Sequence, residues 1–166
     1  MDRLYSPWRY SYVTATSTPV PGCIFCQAAD STVQADLVVA RGRTAYVILN
    51  LFPYNSGHLM VVPNRHVAAL GGLDQDELAE LMQLTARAEQ ALTEVYQPHG
   101  LNIGVNIGKA AGAGVADHLH VHLVPRWNGD TNFMSVVGDV RVLPEEVPVS
   151  AARLRPVFAR ILNEER

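Results

Sequence analysis

His118-Leu119-His120-Val121-His122-Leu123 sets three imidazoles in strict alternation with three aliphatic side chains. Side chains along a strand repeat with period two, so this run puts the histidines on one face of a sheet and Leu119, Val121 and Leu123 on the other. The aliphatic face can pack into a core, whereas the histidine face must look into something polar. One histidine would be an ordinary core or surface residue; three on one face point to chemistry. A neutral imidazole is a good nucleophile near pH 7, and a phosphoryl centre attacked in line yields a nucleotidyl-histidine. Flanking imidazoles can donate hydrogen bonds to phosphate oxygens or hold the attacking ring in one tautomer.

Immediately upstream lies Asn106-Ile107-Gly108-Lys109-Ala110-Ala111-Gly112-Ala113-Gly114-Val115. Gly108, Gly112 and Gly114 let the backbone come close to a ligand and aim amide N–H groups at it, which suits a phosphate. Further out, two β-rich runs, 36–40 and 44–49, flank Arg41-Gly42-Arg43, short enough for a hairpin. Pro53-Tyr54-Asn55-Ser56-Gly57 is a turn, and a strand from His58 to Val62 ends at Pro63. Asp74 with Glu77 opens a helix reaching Tyr96, with Leu78, Leu81, Met82, Thr85, Ala88, Leu92, Val95 and Tyr96 on one face. Pro98 and Gly100 stop it. Strands are expected over 101–107 and 118–124, and a helix from about Ser150 that Pro156 must start, kink or interrupt. Strands in quick succession with segregated helices give an antiparallel sheet of the α+β class.

A chain of 166 residues is the length of one domain. Its 48% hydrophobic and 17% charged residues are those of a globular protein, read here as cytoplasmic. The net charge of −3 and the lack of a basic block argue against a nucleic-acid partner, but leave room for a small anion. The N-terminus lacks the order of a secretion signal, and the apolar runs are too short to span a bilayer, so no membrane partner is expected. Residues 1–22, rich in aromatics and prolines, read as an extended arm. Pro19, Pro21 and Gly22 place Cys23-Ile24-Phe25-Cys26 in a turn. The thiols are a redox pair, half a metal site or two buried side chains; half a zinc site is the better reading if histidines complete it.

The alternating histidines resemble the signature of the histidine triad (HIT) family. Tyr5-Ser6-Pro7-Trp8-Arg9, Cys23-Ile24-Phe25-Cys26 and Pro125-Arg126-Trp127-Asn128-Gly129-Asp130-Thr131-Asn132-Phe133 are similar to its longer bacterial branch, related to diadenosine tetraphosphate phosphorylases. The resemblance spans roughly residues 5 to 135 and implies a five-stranded antiparallel sheet with one long helix and a C-terminal helix. It divides one domain into the arm (1–22), the HIT region (23–135) and a C-terminal extension (136–166). It implies a homodimer or higher homo-oligomer. His120 becomes the nucleophile and His122 its phosphate-contacting partner, with His118 completing the triad. Asn50 matches a ribose-contacting position, though it also suits a turn before Pro53. Asn106 matches a phosphate-contacting asparagine, or else closes a strand. His58 caps a strand or meets the ligand, and Trp127 packs or contacts the base. In zinc-carrying members the cysteine pair is joined by histidines matching His66 and His118, which makes the metal structural.

One departure bears on the reaction. Small family hydrolases carry a glutamine before the first histidine; here the stretch reads Ala113-Gly114-Val115-Ala116-Asp117. Its loss leaves room for inorganic phosphate, with the Gly114 and Val115 amides as donors and Gly112 beside them. The resemblance thus implies phosphorolysis of diadenosine tetraphosphate to ADP and ATP, a divalent cation accompanying the nucleotide being left open. The alternatives are hydrolysis of dinucleoside polyphosphates or nucleoside phosphoramidates, and a nucleotide-binding module without turnover.

Overall fold

The computed structural model describes residues 22–30, 35–130 and 145–164. The arm before Gly22, the stretch Thr131-Asn132-Phe133 and residues 136–144 of the extension lie outside them. A short helix α1 (Ile24–Ala29) precedes β1 (Val38–Arg41), β2 (Ala45–Leu49) and β3 (Leu59–Pro63). The long helix α2 (Gln75–Tyr96) leads to β4 (Gly100–Val105), β5 (Val121–Arg126) and the C-terminal helix α3 (Val147–Asn163). The strands form one antiparallel sheet in the order β1-β2-β3-β5-β4.

The sheet is covered on both faces at its centre, so β2 and β3 are buried at every position and read as continuous apolar runs. One face presents Val47, Leu49, Leu59, Val61, Val121 and Leu123 to α2 and α3, which contribute Leu81, Leu84, Ala88, Leu92, Leu154 and Phe158. The other face presents Tyr46, Ile48, Met60 and Val62, and α1 lays Phe25 and Ala28 against them. Met60 is the register partner of His122, so the histidines occupy the α1 face. Leu119 joins Val121 and Leu123 in the α2–α3 core, so the alternation divides the two faces as expected.

Asp74 caps α2 through a reciprocal capping box with Glu77, and Gln97 ends the helix in the left-handed region. Its buried stripe is rotated from the expected one. Leu84 and Ala91 are buried, whereas Leu78 and Met82 are 39% and 54% exposed. Helical spacing finds the stripe, but the sheet beneath chooses which flank of it is covered. The C-terminal helix starts at Val147 rather than Ser150, with Pro148 in its first turn, where a missing N–H is harmless. Pro156 lies inside it without ending it, on the exposed side of the helix.

Two further expectations are corrected. The cysteine pair is not in a simple turn: Cys23 is the N-cap of α1 and Cys26 lies within it. The fifth strand begins at Val121, so His118 and His120 occupy the segment leading into it, and only His122 is a ladder residue. The ladder stops there on both sides, since Val121 pairs with Val61 of β3 and with Val105, the last residue of β4. The His118 stretch is held instead by Leu119, whose amide donates to the Val67 carbonyl at 2.6 Å.

Candidate active site and metal centre

The histidine segment carries two sites back to back. At its upstream end, Cys23, Cys26, His66 and His118 converge, with one ligand atom from each lying within 4.8 Å of all the others. Cys23 Sγ is 3.2 Å and Cys26 Sγ 3.6 Å from His118 Nδ1, and Cys26 Sγ is 3.3 Å from His66 Nδ1. Tetrahedral zinc with ordinary bond lengths needs sulfur–nitrogen separations of about 3.6 Å. The tautomer is also right. His118 Nε2–H donates to the Pro63 carbonyl at 2.9 Å, which leaves the Nδ1 lone pair facing the thiols. The four residues therefore fit a closed structural zinc site. The Leu119–Val67 bond explains how His66 and His118, distant in sequence, come together.

His120 is 4% exposed. Its Nδ1 lies 2.8 Å from the His118 carbonyl, which can only accept, so Nδ1 carries the proton and Nε2 keeps its lone pair. Its ring meets those of Phe25 and His122, with centroids 5.0 and 4.7 Å away. Burial lowers its pKa below the ordinary histidine value, in favour of the neutral, nucleophilic form. His122 is pushed down to about 4, chiefly by burial and then by the neighbouring His120.

His58 proves to be part of this arrangement rather than a strand cap alone. The Tyr54 amide donates to His58 Nδ1 at 3.1 Å, so the proton of His58 resides on Nε2. That Nε2–H faces His122 Nδ1 at 2.9 Å, which makes His122 the acceptor and leaves its own proton on Nε2. A backbone amide thus dictates, through two rings, that His122 presents a donor. The Tyr54 ring stacks on His58 with centroids 4.9 Å apart. Sequence reading missed Tyr54 and Phe25, although both sit inside stretches already singled out.

Asn50 has the turn role: its Oδ1 accepts from the Phe52 amide at 2.9 Å, while its own amide donates to the His58 carbonyl. Asn106 and Gly112 are adjacent, since a Cβ on Gly112 would stand 3.9 Å from Asn106 Nδ2. Gly108 and Gly112 have φ of +83° and +88°, flanking a 3₁₀ turn at Lys109–Ala111, a conformation that favours glycine. Gly114 has open space around it, and Val115 packs on the Phe25–Tyr46 cluster. Trp127 is not with the histidines. It lies edge-on to Tyr96, centroids 6.5 Å apart, and its amide donates to Asp130. Five residues of strand, about 16 Å, separate it from His122. Asp130 also accepts from Arg126 and Asn55, which braces the β5 end against the β2–β3 turn. No helix among the described residues is long and apolar enough to cross a membrane.

The chain is 43% identical over 167 residues to a protein named AP-4-A phosphorylase in two strains of Mycobacterium tuberculosis, covering 96% of this chain and 86% of that one. Among solved structures, it resembles a zinc-bound histidine triad family protein from Mycobacterium smegmatis with TM-score 0.70 and 29% identity, covering 86% and 97% of the two chains. A hypothetical histidine triad nucleotide-binding protein from Sulfolobus tokodaii has TM-score 0.70 and 26% identity, covering 84% and 93%. The HIT domain model matches residues 31–129, and with these relatives it assigns the chain to the HIT family.

Proposed function

We propose that the protein is a dinucleoside polyphosphate phosphorylase that converts diadenosine tetraphosphate and inorganic phosphate to ATP and ADP. The observation that carries this reading is the bond from His120 Nδ1–H to the His118 carbonyl, which leaves Nε2 as a nucleophile. His120 Nε2 attacks the α-phosphorus, the bond to the bridging oxygen breaks, and ATP departs, leaving an adenylyl-histidine. His122 Nε2–H donates a hydrogen bond to the phosphoryl oxygens as charge builds on them. Phosphate then attacks the same phosphorus from the opposite side, forming ADP and returning the lone pair to His120. The name of the M. tuberculosis relative supports both the substrate and the acceptor. So does the lack of a glutamine at 113–117, beside the positive-φ turn at Gly112 that adjoins Asn106. Asn106, Gly112, Gly114 and Val115 are the phosphate-side contacts in this reading, and Asn50 Nδ2 faces the ribose.

Cys23, Cys26, His66 and His118 would hold zinc, which supplies structural rigidity. A homodimer forms through β4, an edge strand exposed along most of its length, with Ile103 44% exposed. Products measured with and without inorganic phosphate test the acceptor. ATP and ADP formed only when phosphate is added support the phosphorylase; ATP and AMP formed without it identify water as the acceptor and make the enzyme a hydrolase.

A further inference from the structure

Between the two cysteines in sequence stands Phe25, which belongs to neither the triad nor the thiol set. Its side chain is 4% exposed, and its ring meets those of His118 and His120 at centroid distances of 5.5 and 5.0 Å. Three contacts fix the helix that carries it. The Tyr46 hydroxyl donates to the Phe25 carbonyl at 2.7 Å, and the Arg41 guanidinium donates to the Ala28 and Ala29 carbonyls at 2.8 and 2.9 Å. At the other end, Cys23 and Cys26 lie against the His118 ring.

Among the described residues, His120 has one side-chain hydrogen bond, from Nδ1–H to the His118 carbonyl. A single bond to a carbonyl tolerates rotation of the ring about its own axis system, because acceptor geometry is broad. The Phe25 and His122 rings, with centroids 5.0 and 4.7 Å from that of His120, crowd it and narrow that freedom. The residue that walls the nucleophile is thus flanked by two thiols of the metal site, and the carbonyl that orients the nucleophile belongs to the third ligand.

We propose that Phe25 is a positioning residue for His120, and that through Phe25 and His118 the occupancy of the cysteine–histidine site sets the orientation of the nucleophile. This rests on the reading of His120 as the attacking group. Phe25→Leu keeps an apolar side chain in the cluster but removes the flat wall. In the zinc-loaded Phe25→Leu protein kcat falls about 10- to 100-fold, as for small misplacement of a reacting group. KM for diadenosine tetraphosphate stays within about twofold, because ground-state contacts are untouched. Histidine nitrogen NMR without substrate supplies the second reading. The proton on His120 Nδ1 is resolved in the parent protein and broadens in the variant at equal zinc content.

An unchanged kcat and an unchanged His120 signal at full zinc content overturn the proposal. Should the variant fail to fold, the parent protein decides. Zinc is withdrawn with a chelator while circular dichroism reports retained helix, and the His120 Nδ1 signal shifts in step with metal loss. A signal that stays in place as zinc leaves overturns the coupling. These NMR readings need no turnover, so they stand apart from the question of phosphorolysis.

Discussion

The two ends of the histidine segment are held by different physics. At His118 the ring is clamped by a hydrogen bond to the Pro63 carbonyl and by two thiols in the geometry of a metal site. At His122 the ring is held by ordinary hydrogen bonding that passes from the Tyr54 amide through His58. The first end has the make-up of a closed metal site; the second depends on tautomers and presents the His122 Nε2–H as a donor. His120 sits between them and takes its orientation from both, through the His118 carbonyl and the His122 ring. Alternation along a strand therefore does more than align three like groups. It lets one residue type do structural, nucleophilic and donor work at successive same-face positions.

Breaking the middle has the largest effect. His120→Asn lowers kcat about 10⁴-fold or more, as for loss of a nucleophile acting within a coupled set. Nucleotide binding, measured by calorimetry, persists in that variant; unchanged turnover would remove His120 from the mechanism. Breaking the His118 end comes next. Cys26→Ala leaves less than about half an equivalent of zinc and lowers the unfolding free energy by roughly 4 kcal/mol, as for loss of a structural metal. Metal analysis and denaturant unfolding check this, and full zinc content in that variant would refute the ligand set.

Breaking the His122 end is milder. His58→Phe removes the donor to His122 Nδ1 and releases the tautomer, lowering kcat by about 10- to 100-fold. Zinc content is unaffected, which separates the two ends; parallel loss of zinc would show that they are not independent.

The comparison also has a pH signature. His122 titrates at about 4 in the folded protein, below the ordinary 6.5, because of burial and the neighbouring His120. As pH falls from 6.5, the unfolded chain takes up the proton first, so this contribution to stability is present above 6.5 and is lost toward pH 4. The donor-bearing neutral form of His122 therefore persists well below pH 6.5 while thermal stability already declines, and histidine nitrogen NMR against pH checks it. Titration of His122 near the ordinary histidine value would contradict its burial beside His120. The smallest effect is expected away from both ends, at the exposed flank of α2. Met82→Lys changes stability by less than about 0.5 kcal/mol, although helical spacing alone places that residue in the core.

That last case shows where the sequence stops being legible. The division of Leu119, Val121 and Leu123 from the histidines follows from a period of two that no packing can shift, so the class of sheet and the reactive face were readable. The buried flank of α2 was not, because Leu84 rather than Met82 is covered only once the sheet beneath is placed. The gathering of His66 with the cysteines came from family resemblance and not from spacing. It depends on a backbone bond between Leu119 and Val67, which pattern alone does not reveal. The pairing of His58 with His122 was hidden for a similar reason, since it requires the register of β3 against β5. Phe25 was unreadable because a turn and a helix start look alike after Pro21 and Gly22, yet only the helix turns that ring onto His120.

The measurement that bears most directly on the central claim is rapid quenching of the enzyme with diadenosine tetraphosphate in the absence of phosphate, followed by peptide mass spectrometry. An adenylyl group on the peptide carrying His120, discharged as ADP when inorganic phosphate is added, is the predicted result. An adduct on another residue, or none at any quench time while product accumulates, would contradict it.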